Sequence, residues 1–90
     1  MYEVEFTKKA YRQFKKFPAK IQDQLQETIE GLEEDPRPQG YTKLSGKLND
    51  FYRVRSGNYR IIYSIEDKEL TVYLLKIADR KKIYKKNKHS

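Results

Sequence analysis

Phe51-Tyr52-Arg53-Val54-Arg55-Ser56-Gly57-Asn58-Tyr59-Arg60-Ile61-Ile62-Tyr63-Ser64-Ile65 reads as two strands joined by a turn. Apolar and polar side chains alternate on both sides of Gly57-Asn58, the period of a pleated strand with one buried face. Glycine takes positive φ at little steric cost, so Gly57-Asn58 predicts a two-residue hairpin of the Gly-first type. The strands run Phe51 to Arg55 and Tyr59 to Ile65. That turn pairs Ser56 with Tyr59, Arg55 with Arg60, Val54 with Ile61 and Arg53 with Ile62. A second, weaker turn at Asp67-Lys68 leads into a third strand, Leu70 to Ile77. It pairs Ile65 with Leu70, Tyr63 with Val72 and Ile61 with Leu74.

This register sorts the side chains. Val54, Ile61, Tyr63, Ile65, Leu70, Val72 and Leu74 form an apolar face that needs a cover. Arg53, Arg55, Arg60, Ser64, Thr71 and Tyr73 lie on the other face, with Ile62 and Leu75 among them. Directly opposed like charges destabilise a sheet by a few tenths of a kcal/mol or more. Setting Arg55 against Arg60, with Arg53 beside them, therefore works against stability. Asp50, Glu66, Asp67 and Glu69 sit at strand ends and turns, away from that part of the face. Acidic partners are one account of these arginines. The other is an anion site, for which the guanidinium fork suits phosphate.

The cover comes from upstream. Tyr2 to Phe6 alternates with Glu3 and Glu5 outward, a first strand. Thr7 is an N-cap for a helix through Lys16, with Ala10, Phe14 and Phe17 at helical spacing. Pro18 fits the first turn of a second helix to about Glu34, striped by Ile21, Leu25, Ile29 and Leu32. Glu33, Glu34 and Asp35 carry the wrong sign for its C-terminal end. Asp35-Pro36-Arg37-Pro38-Gln39-Gly40 is a loop. The expected fold is α+β: one domain over residues 1–90, β-α-α-β-β-β. Its two N-terminal helices pack on one face of an antiparallel sheet, and a short C-terminal segment, helical or extended, follows.

Ninety residues allow one core, burying about two-thirds of the unfolded chain's surface. Hydrophobic and charged residues are each 37% of the chain. The aliphatic runs are too short for a membrane-spanning helix. Met1 to Phe6 shows neither a basic n-region nor an apolar h-region, so cytoplasmic location is expected. There is no cysteine, hence no disulfide or thiolate, and the one histidine is His89. Neither metal nor cofactor is expected. The net charge of +7 lies entirely in residues 46–90, because residues 1–45 balance eight basic against eight acidic side chains. Such a field suits a polyanion or an acidic protein, and equally a solvated surface that keeps a small domain soluble.

After the last strand, Asp79-Arg80-Lys81-Lys82-Ile83-Tyr84 would fold back beside the arginine face. Arg80 adds a guanidinium. Tyr84 and Tyr73 offer planes for stacking an unpaired base, although Tyr84 could equally anchor the C-terminal segment.

Lys43-Leu44-Ser45-Gly46, then residues 51–63, then Ile77-Ala78-Asp79-Arg80-Lys81-Lys82-Ile83-Tyr84 resemble the RelE/ParE superfamily of bacterial toxins. The likeness covers almost the whole chain. RelE-like members are ribosome-dependent mRNA endonucleases (mRNA interferases) and ParE-like members poison DNA gyrase. A small antitoxin neutralises both. The resemblance favours the RelE-like branch, and so a metal-independent endoribonuclease that attacks through the 2′-hydroxyl and inhibits translation. The alternatives are a gyrase inhibitor without chemistry of its own, or an inactive relative. By resemblance Arg53 and Arg55 contact the scissile region, Arg60 binds the phosphate, Arg80 assists the leaving group and Tyr84 orients the RNA. Asp79 is the candidate base, or else it holds Arg80. Lys43, Lys47, Tyr73, Lys81 and Lys82 are the further RNA-binding candidates. RelE itself has lysines at the positions of Arg53 and Arg55, and many relatives have histidine at that of Asp79. Both departures leave the general base open. The implied partners are an acidic RelB-like antitoxin, the ribosome with bound mRNA, and operator DNA reached through the antitoxin.

Overall fold

The computed structural model describes residues 1–44 and 50–79. Arg80, Lys81, Lys82, Tyr84, Lys47 and the expected C-terminal segment lie outside the described residues. The chain runs β1 (Glu3–Phe6), α1 (Lys8–Lys16), α2 (Ala19–Glu34), β2 (Thr42–Leu44), β3 (Phe51–Ser56), β4 (Tyr59–Glu66) and β5 (Thr71–Asp79), with a 3-10 turn, Asp67–Glu69, before β5.

Helix α1 begins as the sequence predicts, and α2 begins one residue later than expected, with Pro18 as its N-cap and not in its first turn. The Thr7 hydroxyl accepts the Ala10 N–H at 3.2 Å, which satisfies one of the orphan donors of a first turn. The Pro18 carbonyl accepts from Ile21 and Gln22 at 3.0 and 2.9 Å. Leu25, Ile29 and Leu32 are buried, and Ile21 packs against the core they form. Fully burying one such side chain stabilises the fold by about 1.5–3 kcal/mol. Ala10, Tyr52, Ile61, Tyr63, Val72, Leu74 and Ile77 complete the core between helices and sheet. The Tyr63 hydroxyl donates to the Pro36 carbonyl at 2.8 Å, fixing the loop after α2. At the acidic end of α2 the Asp35 carboxylate accepts the Arg37 N–H at 3.0 Å, and the Glu33 carbonyl accepts the Tyr2 N–H at 2.8 Å.

The sheet is five-stranded and mixed, in the order β1-β5-β4-β3-β2. Strands β3 to β5 are antiparallel, as expected; β2 is a fifth strand beyond the expected β-α-α-β-β-β order, antiparallel to β3, and β1 joins β5 in parallel, with Val4 opposite Val72. Alternation reports which face a residue takes; it carries no information on which strand lies beside it or in what direction. Strand β2 is three residues long, too short for a legible period.

The first hairpin has the predicted register, Arg55 opposite Arg60 and Arg53 opposite Ile62. Gly57 has φ +62°, and Leu70 is the one non-glycine with positive φ among the described residues, so only the first turn position is left-handed. The second hairpin differs. The connection is longer, a 3-10 turn closed by left-handed Leu70, and pairing slides by two residues to Glu66–Thr71, Ile65–Val72 and Tyr63–Leu74. A slide of two preserves the facing of Val72 and Leu74 but expels Leu70, which is 50% exposed and not in the core. A bulge then leaves Leu75 unpaired, because Tyr63 faces Leu74 while Ile62 faces Lys76. Beyond it the facing of β5 reverses, and Ile77, not Leu74, lies opposite Ile61.

Candidate functional site

The helices cover one face of the sheet; the other carries the arginines in cross-strand rows. Arg55, Arg60 and Ala78 form one row, and Thr42, Arg53, Ile62 and Lys76 the next. Arg53 reaches back along its row to the Thr42 hydroxyl at 3.5 Å. Arg55 is exposed, while Arg53 and Arg60 are half-buried. Strand pairing thus brings Arg53, Arg55 and Arg60 together as the sequence predicts.

The tip of the arginine hairpin is held from behind. The Gln24 side-chain amide of α2 donates to the Ser56 carbonyl at 2.9 Å, and the Thr28 hydroxyl donates to Ser56 Oγ at 2.9 Å. A Cβ at Gly57 would lie 2.5 Å from Gln24 Nε2, so glycine there serves the turn and the helix contact at once. Phe17 closes on Tyr59 edge to face, with ring centroids 4.9 Å apart. The Gln24 and Thr28 supports for the rung beside Arg55 and Arg60 were not legible in the sequence, because a polar residue on a helix turn reads as solvated.

The face changes sign along the strands. Past the Leu75 bulge, Ser64 and Tyr73 lie level with Glu5, and Thr71 lies between Glu66 and Glu3. The Tyr73 hydroxyl donates to Glu69 at 2.9 Å. That bond, with burial and the charges of Glu69, Glu5 and Glu66, pushes the Tyr73 phenol up. Tyr73 shares the face of the arginines but stands at its acidic end, an unfavourable surround for an RNA backbone. A cavity of about 530 Å³ at this end of the sheet is lined by Asp50, Glu66, Asp67 and Arg37 together with Phe51, Tyr52, Ser64, Ile65 and Leu75. Arg37 donates to both Asp67 carboxylate oxygens, at 2.9 and 3.3 Å, and Tyr2 donates to Asp67 Oδ1 at 2.7 Å. The bonds from Arg37 and then Tyr2 hold the Asp67 carboxyl below its usual range.

Two candidates stand apart from the arginines. Lys43 lies opposite buried Tyr52, on the helix side, with its ammonium 3.4 Å from Asp50. Asp79 lies opposite Tyr59, likewise on the helix side. By strand register this position lies on the face opposite to that of Arg55 and Arg60. Lys76, in contrast, joins the arginines, and the sequence concealed it because the bulge has no marker residue.

Comparison with known proteins agrees with this architecture. A family model described as “ParE toxin of type II toxin-antitoxin system, parDE” matches residues 4–84. Toxin RelG of Mycobacterium tuberculosis is 34% identical over 86 residues, which cover 94% of this chain and 98% of the relative. The mRNA interferase toxin RelE of Escherichia coli is 26% identical over 83 residues, covering 90% and 85%. The crystal structure of the archaeal RelE–RelB complex from Pyrococcus horikoshii contains a chain that superposes with a TM-score of 0.77 at 31% identity, covering 88% of this chain and 94% of that one.

Proposed function

This chain belongs to the ParE toxin family of type II toxin–antitoxin systems, and from that premise we propose that it is a RelE-like toxin, an endoribonuclease that cleaves mRNA on the ribosome and so stops translation. The relatives named as mRNA interferases and the RelE-type solved structures support this reading. The observation that carries it is the group of Arg53, Arg55 and Arg60 on the helix-free face.

Cleavage by 2′-hydroxyl attack forms a bond from the 2′-oxygen to the adjacent phosphorus and breaks the bond to the 5′-oxygen. The products are a 2′,3′-cyclic phosphate and a 5′-hydroxyl. Negative charge grows on the non-bridging oxygens, and fixed cations aimed at developing charge are usually the largest catalytic contribution. Arg60 and Arg55 would hold those oxygens from two adjacent strands, with Arg53 on the neighbouring phosphate.

The RelBE toxin–antitoxin complexes among the solved structures support an antitoxin partner, and the net charge of +7 calls for an acidic one, bound across the cationic rows or the segment after β5. Operator DNA would be reached through that antitoxin, and the site of action would be the cytoplasm. Induced expression tests the reading, with primer extension on a translated message beside a gyrase supercoiling assay. Discrete 5′ ends within translated codons are expected. Loss of supercoiling with an intact message would instead assign the gyrase-inhibiting function of ParE-like toxins.

A further inference from the structure

Lys76 owes its place to an irregularity. Without the bulge at Leu75, strand alternation would turn Lys76 towards the helices. With it, Lys76 is exposed on the arginine face, opposite Ile62 and in the row of Arg53. Bulges commonly re-aim a side chain beside a functional site.

This one is anchored by the first helical segment. Strand β1 ends its pairing at Leu74, so the edge of β5 beyond it is covered by other groups. The Thr7 N–H donates to the Leu74 carbonyl at 3.0 Å, and the Thr7 hydroxyl donates to the Leu75 carbonyl at 3.4 Å. Gln13 of α1 accepts the Ile77 N–H through Oε1 at 2.7 Å. The backbone is thus gripped on both sides of Lys76. No ion pair engages the Lys76 ammonium among the described residues. The cations Arg53, Arg55, Arg60 and Lys76 then border two apolar side chains, Ile62 and Ala78.

We propose that Lys76 is a further nucleic-acid contact of this site, gripping a backbone phosphate of a single strand that crosses β3, β4 and β5, and that Gln13 is the positioning residue that keeps it on the arginine face. The proposal rests on the reading of this face as an RNA site. A compact ammonium on a flexible stem suits a phosphate away from the reacting centre, where charge matters more than a fixed fork.

The test uses the full chain and a fluorescent single-stranded 2′-deoxy oligonucleotide, which cannot be cleaved through a 2′-hydroxyl. Binding is followed by anisotropy across a salt series. Each phosphate contact to a single strand contributes about 0.7 to the slope of log K against log salt. Lys76→Gln should weaken binding several-fold at low salt and reduce that slope by about 0.7, and Lys76→Arg should restore it. Gln13→Ala alters no charge, yet it should lower the slope in the same direction and add little in the Lys76→Gln background. Melting temperatures, measured in parallel, separate a stability loss from a change in slope.

An unchanged slope in Lys76→Gln overturns the contact. A Gln13→Ala protein that melts lower but keeps the wild-type slope overturns the positioning role. Cleavage by the wild type is scored separately on programmed ribosomes. A wild type that binds with the expected slopes but never cleaves sustains the Lys76 contact and refutes the nuclease reading. One that cleaves while Lys76→Gln keeps its slope does the reverse.

Discussion

Tyr63→Phe separates the two faces of the sheet with the loss of one oxygen atom. Tyr63 is fully buried, and its ring stacks on Tyr52 with centroids 5.7 Å apart and planes at 27°. Phenylalanine keeps the ring and its apolar burial. What disappears is the 2.8 Å hydrogen bond to the Pro36 carbonyl. Burial pushes the Tyr63 phenol well above its usual range, so the hydroxyl remains a donor at neutral pH. A hydrogen bond of this kind contributes about 0.5–1.5 kcal/mol net, and a buried acceptor left unpaired costs about 1–3 kcal/mol. The expected destabilisation is therefore about 1–3 kcal/mol. At roughly 4–8 °C per kcal/mol for a domain of this size, Tm should fall by about 4–24 °C. Circular-dichroism melts give the shift, and primer extension well below Tm gives the cleavage rate per folded molecule. That rate should match the wild type, because the Tyr63 side chain lies on the helix side of the sheet. A Tm unchanged within about 1 °C would remove the Pro36 anchor from the account. Loss of cleavage in a protein that melts normally would place Tyr63 in the chemistry and refute the division of faces.

Arg60→Ala should abolish toxicity on induction while the circular-dichroism spectrum stays native; a fully toxic variant, or one that does not fold, counts against the site. Asp79→Asn should reduce cleavage less than about tenfold, because a working general base is typically worth ~10²–10⁴-fold; a loss of a hundredfold or more with ribosome binding intact would restore Asp79 as the base. The folded pKa of Asp67 is depressed by its bonds from Arg37 and Tyr2, so its contribution is full above the ordinary carboxylate range and lost as pH falls through the folded value. Asp67→Asn should accordingly melt below the wild type at pH 7 and approach it in strong acid, and a pH-independent difference between the two would contradict the linkage.

The residues that declared themselves in sequence are those whose geometry is local. Gly57-Asn58 determines its hairpin within four residues, so the opposition of Arg55 and Arg60 could be read directly, as could the Thr7 cap and the stripe of α2. What stayed hidden depends on contacts distant in sequence. The parallel seat of β1 on β5 is a matter of strand direction, to which alternation is blind. The Leu75 bulge lies where β5 passes from β1 to Thr7 and Gln13 of the first helical segment, left-handed Leu70 closes the 3-10 turn before β5, and neither carries a Gly or Asn to announce it. That single irregularity exchanges Lys76 for Ile77 between the faces and leaves Asp79 on the helix side. The bulge thus sets the register position of Asp79, one of the two readings for which was a general base, on the face opposite the arginine rows.

A site built from cations has a consequence for the rate law. The two cationic rows hold Arg53, Arg55, Arg60 and Lys76, and neither includes a carboxylate or imidazole among the described residues. Arginine stays protonated, so the face can stabilise charge and orient a phosphate but is poorly suited to remove the 2′-proton. Orientation must then supply much of the acceleration, and alignment of reacting groups can lower a barrier by several kcal/mol. On the reading proposed above, the ribosome holds the nucleotide in line. Free message should therefore be cleaved at least about a hundredfold more slowly than message in the ribosomal A site, since about 2.7 kcal/mol of alignment is already that factor. Single-turnover cleavage on programmed ribosomes should also rise with pH from 5 to 8 without levelling, because the two cationic rows offer no base among the described residues. A plateau beginning near neutral pH would show a titrating base at the site, and comparable rates on free and programmed message would refute the dependence on alignment.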